Sequence, residues 1–101
     1  MKHLPLALLL ASAFAFLTPA FAEAPALKAA EAAAIAQGDL ASRGLEETIH
    51  IVEVNYKKGT LLTGPEYWEV LWNKEFPAQT EGRNEIGLRI AMDGTYKRAV
   101  R

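Results

Sequence analysis

The stretch Glu66–Phe76, EYWEVLWNKEF, decides how the rest of the chain is read. Trp68, Val70 and Trp72 alternate with Tyr67, Glu69, Leu71 and Asn73, the period of a strand whose two faces differ. Both tryptophans of the chain lie here. The spacing predicts the central strand of a small sheet, with its Trp-Val-Trp side turned to a core.

The neighbouring segments repeat this period. In Thr48–Lys57, TIHIVEVNYK, one face carries Val52, Val54 and Tyr56, and the other carries Ile49, Ile51, Glu53, Asn55 and Lys57. In Glu85–Met92, Ile86, Leu88, Ile90 and Met92 oppose Gly87, Arg89 and Ala91. Lys58–Pro65, Pro77–Arg83 and Asp93-Gly94 supply the turns between them. Two hairpins follow. Pairing Val54 with Val70 sets Tyr56 opposite Trp68 and Val52 opposite Trp72. Pairing Val70 with Ile90 sets Trp68 opposite Met92 and Trp72 opposite Leu88. A one-residue slip would bring Glu69 and Asn73 into the apolar layer instead. Thr95–Val100 is expected to return as a short basic edge strand.

Before the strands, residues 26–42 are dense in strong helix formers. Leu27, Ala30, Ala34, Ile35 and Ala41 fall near one helical face, with Lys28, Glu31, Gln37 and Arg43 elsewhere. Gly38 implies the close approach of a bulky side chain, or a break in the helix. Gly44 is read as its left-handed stop. The expected fold is α+β: one N-terminal helix packed on a three- to four-stranded antiparallel meander, in two layers.

The first residues read differently. Met1-Lys2-His3 is basic, Leu4 to about Leu17 is nearly unbroken Leu, Ala and Phe, and Ala20-Phe21-Ala22 is a small–x–small triplet. This is the pattern of a signal peptide over residues 1–22, with a single domain over residues 23–101. The expected location is periplasmic or secreted. Removing 22 of 101 residues leaves 79, with ten Lys/Arg (eleven less Lys2) against twelve Asp/Glu, a net charge near −2. That balance gives no electrostatic footprint for nucleic acid. The absence of Cys means that so small a domain must hold itself together without disulfides.

An alanine-rich helix, an extended segment, the aromatic–x–Val strand Trp68-Glu69-Val70 and the hydrophobic–Asp–Gly end Met92-Asp93-Gly94 together resemble the PepSY domain and PepSY-like bacterial exported proteins. The resemblance covers about Leu27 to Val100. It implies a helix on an antiparallel sheet and a role in inhibiting or regulating a peptidase or another envelope protein. No peptidase accompanies the domain in this sequence, so that action is expected in trans. The resemblance brings no catalytic residue with it.

The residues themselves point to no catalytic, cofactor-binding or metal site. His50, expected on the core side near Lys74, is the one His after residue 22, and with no Cys it makes a poor zinc set. Glu46-Glu47 and the pair Glu66 and Glu69 read as solvated carboxylates rather than an acid/base pair. The tryptophans read as core. Ile51, Tyr67, Glu69, Leu71 and Arg89 share the outward face of the sheet and form the candidate contact surface, for a protein partner or for self-association. No membrane contact is expected once the signal peptide is gone. The alternative is a small-molecule carrier with an apolar pocket between helix and sheet, near the tryptophans and Gly38.

Overall fold

The computed structural model describes residues 24–79 and 82–101. The expected signal peptide, residues 1–22, lies outside them. Among the described residues, one helix, α1 (Ala29–Ser42), precedes four strands: β1 (Ile51–Lys57), β2 (Tyr67–Pro77), β3 (Asn84–Ala91) and β4 (Tyr96–Val100). The strands form one antiparallel sheet in the order β1-β2-β3-β4. The fold is α+β, with α1 on one face of the sheet. Thr95–Val100 does pair, as β4 along β3.

The helix has a defined beginning and end. At its start, the Glu31 carboxylate accepts a hydrogen bond from the backbone N–H of Lys28 at 2.8 Å, satisfying a donor that the helix leaves free. At its end, Gly44 takes a positive φ of 69°. Its N–H reaches the Ala41 carbonyl at 3.1 Å, and the Leu45 N–H reaches the Leu40 carbonyl at 2.9 Å. These two bonds are the Schellman closure, and Leu45 then packs on the core.

The buried stripe of α1 is Ala32, Ala36 and Leu40, with Asp39 beside it and Ile35 partly covered. This corrects the expected face: Ala30, Ala34 and Ala41 are exposed. The reason is composition. Alanine lies on every side of this helix, so the pattern barely distinguishes one face from another, and Leu40 decides the orientation. Gly38 faces open space, and the helix runs unbroken through it. Neither expected reason for that glycine holds.

Val70, Leu88, Ile90 and Leu40 are wholly enclosed, and Trp68 and Trp72 are buried with them. The indole N–H of Trp68 donates to the Leu27 carbonyl at 2.7 Å, while Tyr56 meets the Trp68 ring edge-on at 5.5 Å. Val54↔Val70 and Tyr56↔Trp68 pair as the sequence predicts. Register irregularities and a slip change the rest.

In β1 the register shifts between Ile51 and Glu53, so that Ile51 rather than Val52 sits opposite Trp72. Val52 is the extra residue and is 54% exposed. The bulge reverses the parity of everything before it. Ile49 is buried and Ile51 packs against the core, while His50 is exposed. His50 instead bonds through its backbone, its N–H reaching Asn73 Oδ1 at 2.8 Å.

In the second hairpin the pairs are Val70↔Leu88 and Trp68↔Ile90, a slip of two residues from the expected register. A two-residue slip preserves the facing of every side chain, so alternation alone cannot detect it. In β3 the register against β4 also shifts between Glu85 and Gly87. The extra residue, Ile86, turns Glu85 onto the helix side, where it is buried.

Candidate functional site

The face of the sheet away from α1 is built of rows across the strands. One row is Glu53, Leu71, Gly87 and Ala99, and the next is Asn55, Glu69, Arg89 and Lys97. Lys57, Tyr67 and Ala91 form a third. Among the described residues no second layer covers this face, since the one helix packs on the other side. Tyr67, Glu69, Leu71 and Arg89 therefore share the surface expected of them, each side chain at least partly open to solvent. Ile51 leaves that group. The bulge at Val52 turns it toward the core.

The polar groups of this face are paired across it. The Arg89 guanidinium lies 5.5 Å from the centre of the Tyr67 ring, in cation–π range. Lys57 Nζ lies 3.8 Å from Glu69 Oε1. Both pairs lie on the Tyr67 side of a partly exposed Leu71. Gly87 beside it is a steric necessity, because a Cβ there would collide with the Val70 carbonyl on β2. Toward the β1–β2 loop the face opens into a groove of about 350 Å³, lined by Pro65, Glu66, Tyr67, Arg89, Ala91 and Lys97 among others. The arrangement offers an aromatic ring, an aliphatic side chain and both signs of charge on a rigid base. That chemistry suits a protein surface.

On the helix side lies a cluster that sequence reasoning missed. Asp39 and Glu85 are both buried. Asp39 Oδ2 accepts from Arg43 Nε at 3.1 Å and Nη2 at 2.7 Å. Asp39 Oδ1 accepts from the Tyr96 hydroxyl at 3.1 Å and Arg98 Nη1 at 2.9 Å. Glu85 accepts from both Arg43 Nη atoms at 3.0 and 2.6 Å, and from the Trp72 indole N–H at 2.9 Å. Two carboxylates thus face two guanidiniums. Among the described residues no buried side-chain polar atom lacks a partner. The Glu85 hydrogen bond is the main reason that the Arg43 pKa rises above its ordinary value, with burial opposing it. The cluster ties the end of α1 to β3 and β4. Its one local signal is the i,i+4 spacing of Asp39 and Arg43. Glu85 carried none, because plain alternation sets it outward.

The other residues singled out in the sequence stand apart. Glu66 accepts a hydrogen bond from the Tyr56 hydroxyl, which raises the tyrosine pKa. Glu46 accepts one from Gln37 Nε2 at 3.1 Å. Asp93, in the β3–β4 turn, has its pKa lowered by the Thr95 hydroxyl and backbone N–H at 2.6 and 2.9 Å. Among the described residues no group of three His, Cys, Asp or Glu is placed to hold a metal ion. Gly38, expected beside an apolar pocket, lies on the open side of α1. No family model, curated protein or solved structure matches the chain.

Proposed function

We propose that this chain is a small exported, non-enzymatic binding domain of PepSY-like character. Its partner is a peptidase or another envelope protein, engaged through the open sheet face. The observation that carries the reading is the uncovered face itself: Leu71 lies one row from Glu69 and Arg89, which pair with Lys57 and Tyr67, with no layer of described residues over it. An aliphatic residue beside an aromatic ring and paired charged groups has the mixed composition of a protein contact surface. The chain's leader-like first 22 residues support export.

The test is a double substitution, Leu71→Asp with Tyr67→Ser, on the outward side of β2. Light scattering on a sizing column reads self-association. Inhibition of a secreted metallopeptidase from the same organism reads partner binding. The expected result is loss of whichever the wild type shows, with an unchanged circular dichroism melt. If the double variant matches wild type in both, the face is not the contact surface.

A further inference from the structure

We propose, resting on the reading of the open sheet face as a contact surface, that the protein it meets is a second copy of this chain. The two copies lie face to face about a two-fold axis that runs parallel to the strands, between β2 and β3.

The two central strands carry opposite patterns on that face. β2 presents Tyr67, Glu69 and Leu71, which are large, acidic and large. Directly opposite them β3 presents Ala91, Arg89 and Gly87, which are small, basic and small. A half-turn about the axis sets β2 of one copy over β3 of the other, row upon row. Leu71 then falls on the second copy's Gly87, and Tyr67 on its Ala91. Ala91 lines the groove of about 350 Å³, so the space above it is already open to an incoming ring. Each large side chain of β2 thus meets a position of β3 that leaves room for it. Aligned sheets pack in this way at about 30°, and strands next to the axis are the least displaced by twist.

Charge selects the same axis. Glu69 falls on the second copy's Arg89, and Arg89 on its Glu69. Within each copy these two residues are already cross-strand neighbours, so the dimer closes an alternating ring of acid and base. Beyond the ring, Glu53 lies on the β1 side and Lys97 on the β4 side, and the half-turn exchanges those sides. Lys57, the cation of β1, falls toward the uncharged Thr95, the neighbour of Ala91. Among the described residues Arg89 and Lys97 take part in no ion pair, which leaves both to meet carboxylates. An in-plane axis across the strands would instead lay each strand on its own copy, with like charge toward like. Four strands about 4.8 Å apart and roughly 20 Å long give a footprint of about 400 Å² on each copy. That is a small interface, so the dimer forms reversibly in the micromolar range.

The experiment is a reciprocal charge exchange on the full chain, read by sedimentation equilibrium and by energy transfer between labelled copies. Wild type is expected to dimerise. Glu69→Lys alone sets a cation over the second copy's Arg89, and Arg89→Glu alone sets an acid over its Glu69. Each should raise the dimer dissociation constant on the order of tenfold or more. Mixed together, the two variants regain opposite charges at both contacts and should pair with each other. A chain carrying both substitutions should pair with itself. It also keeps opposite charges on its own ladder, and so decides the matter if a single variant fails to fold. Leu4–Ala22 is apolar, but association through it would ignore every reversal. A monomeric wild type overturns the proposal. So does association that the reversals leave unchanged, or single variants that do not pair when mixed. A monomer whose peptidase inhibition is still lost on Leu71→Asp with Tyr67→Ser would overturn the dimer alone and leave the contact surface standing.

Discussion

Glu85→Ala is the sharpest probe of how this domain is held together. Glu85 is 2% exposed and receives hydrogen bonds from Trp72 and Arg43. Removing its carboxylate orphans the Trp72 indole N–H inside the core, at about 1–3 kcal/mol. Arg43 loses charge-assisted bonds as well. It keeps those to Asp39, and its side chain is 25% exposed, so water replaces part of the loss. That part is discounted to about 1 kcal/mol. The sum is about 3 kcal/mol, at the lower edge of what breaking a buried pair costs. For a domain of this size each kcal/mol moves Tm by about 4–8 °C, so the fall should be roughly 12–24 °C. Glu85→Gln retains one oxygen for Trp72 while turning an amide donor toward a guanidinium, and should lose an intermediate amount. Far-UV circular dichroism and tryptophan fluorescence would follow heat and urea unfolding. An alanine variant melting within about 2 °C of wild type would show that the cluster contributes little, and the reasoning would be wrong.

Two further substitutions test the backbone. Gly38→Ala should stabilise the protein by about 0.5–1 kcal/mol and raise Tm by several degrees, because the site is mid-helix with open space where the new Cβ would lie; a lower melting temperature would contradict that geometry. Gly87→Ala should destabilise by about 3 kcal/mol or more, since its methyl group would drive β3 away from the Val70 carbonyl on β2. A urea midpoint equal to wild type would mean that the two strands are not so closely set.

The alternation in EYWEVLWNKEF was enough to identify β2 and its buried side. Patterned strands have only two facings, and one of them would have buried Glu69. The Val54↔Val70 and Tyr56↔Trp68 pairs followed from the same constraint. The bulges at Val52 and Ile86 did not, because neither residue differs locally from its neighbours in a regular strand. Each nevertheless reversed the parity of what lies beyond it, taking Ile51 from the open face and bringing Glu85 inward. The helix face was obscured by alanine. Beyond its i,i+4 spacing from Arg43, Asp39 was not legible as buried or paired, because its other partners come from β4, far along the chain. The open face around Tyr67, Glu69, Leu71 and Arg89 could be read because β2 is regular there.

The carboxylate of Asp39 joins the helix to Tyr96 and Arg98, which lie 57 and 59 positions later. The last element of the domain therefore completes the hydrogen bonding of the first. A growing chain can form α1 and the first hairpin early, but Asp39 has only Arg43 as a partner until the final residues are free. Non-local closure of this kind is slow compared with hairpin formation. Truncation before Tyr96 would leave Asp39 with Arg43 as its one remaining side-chain partner among the described residues.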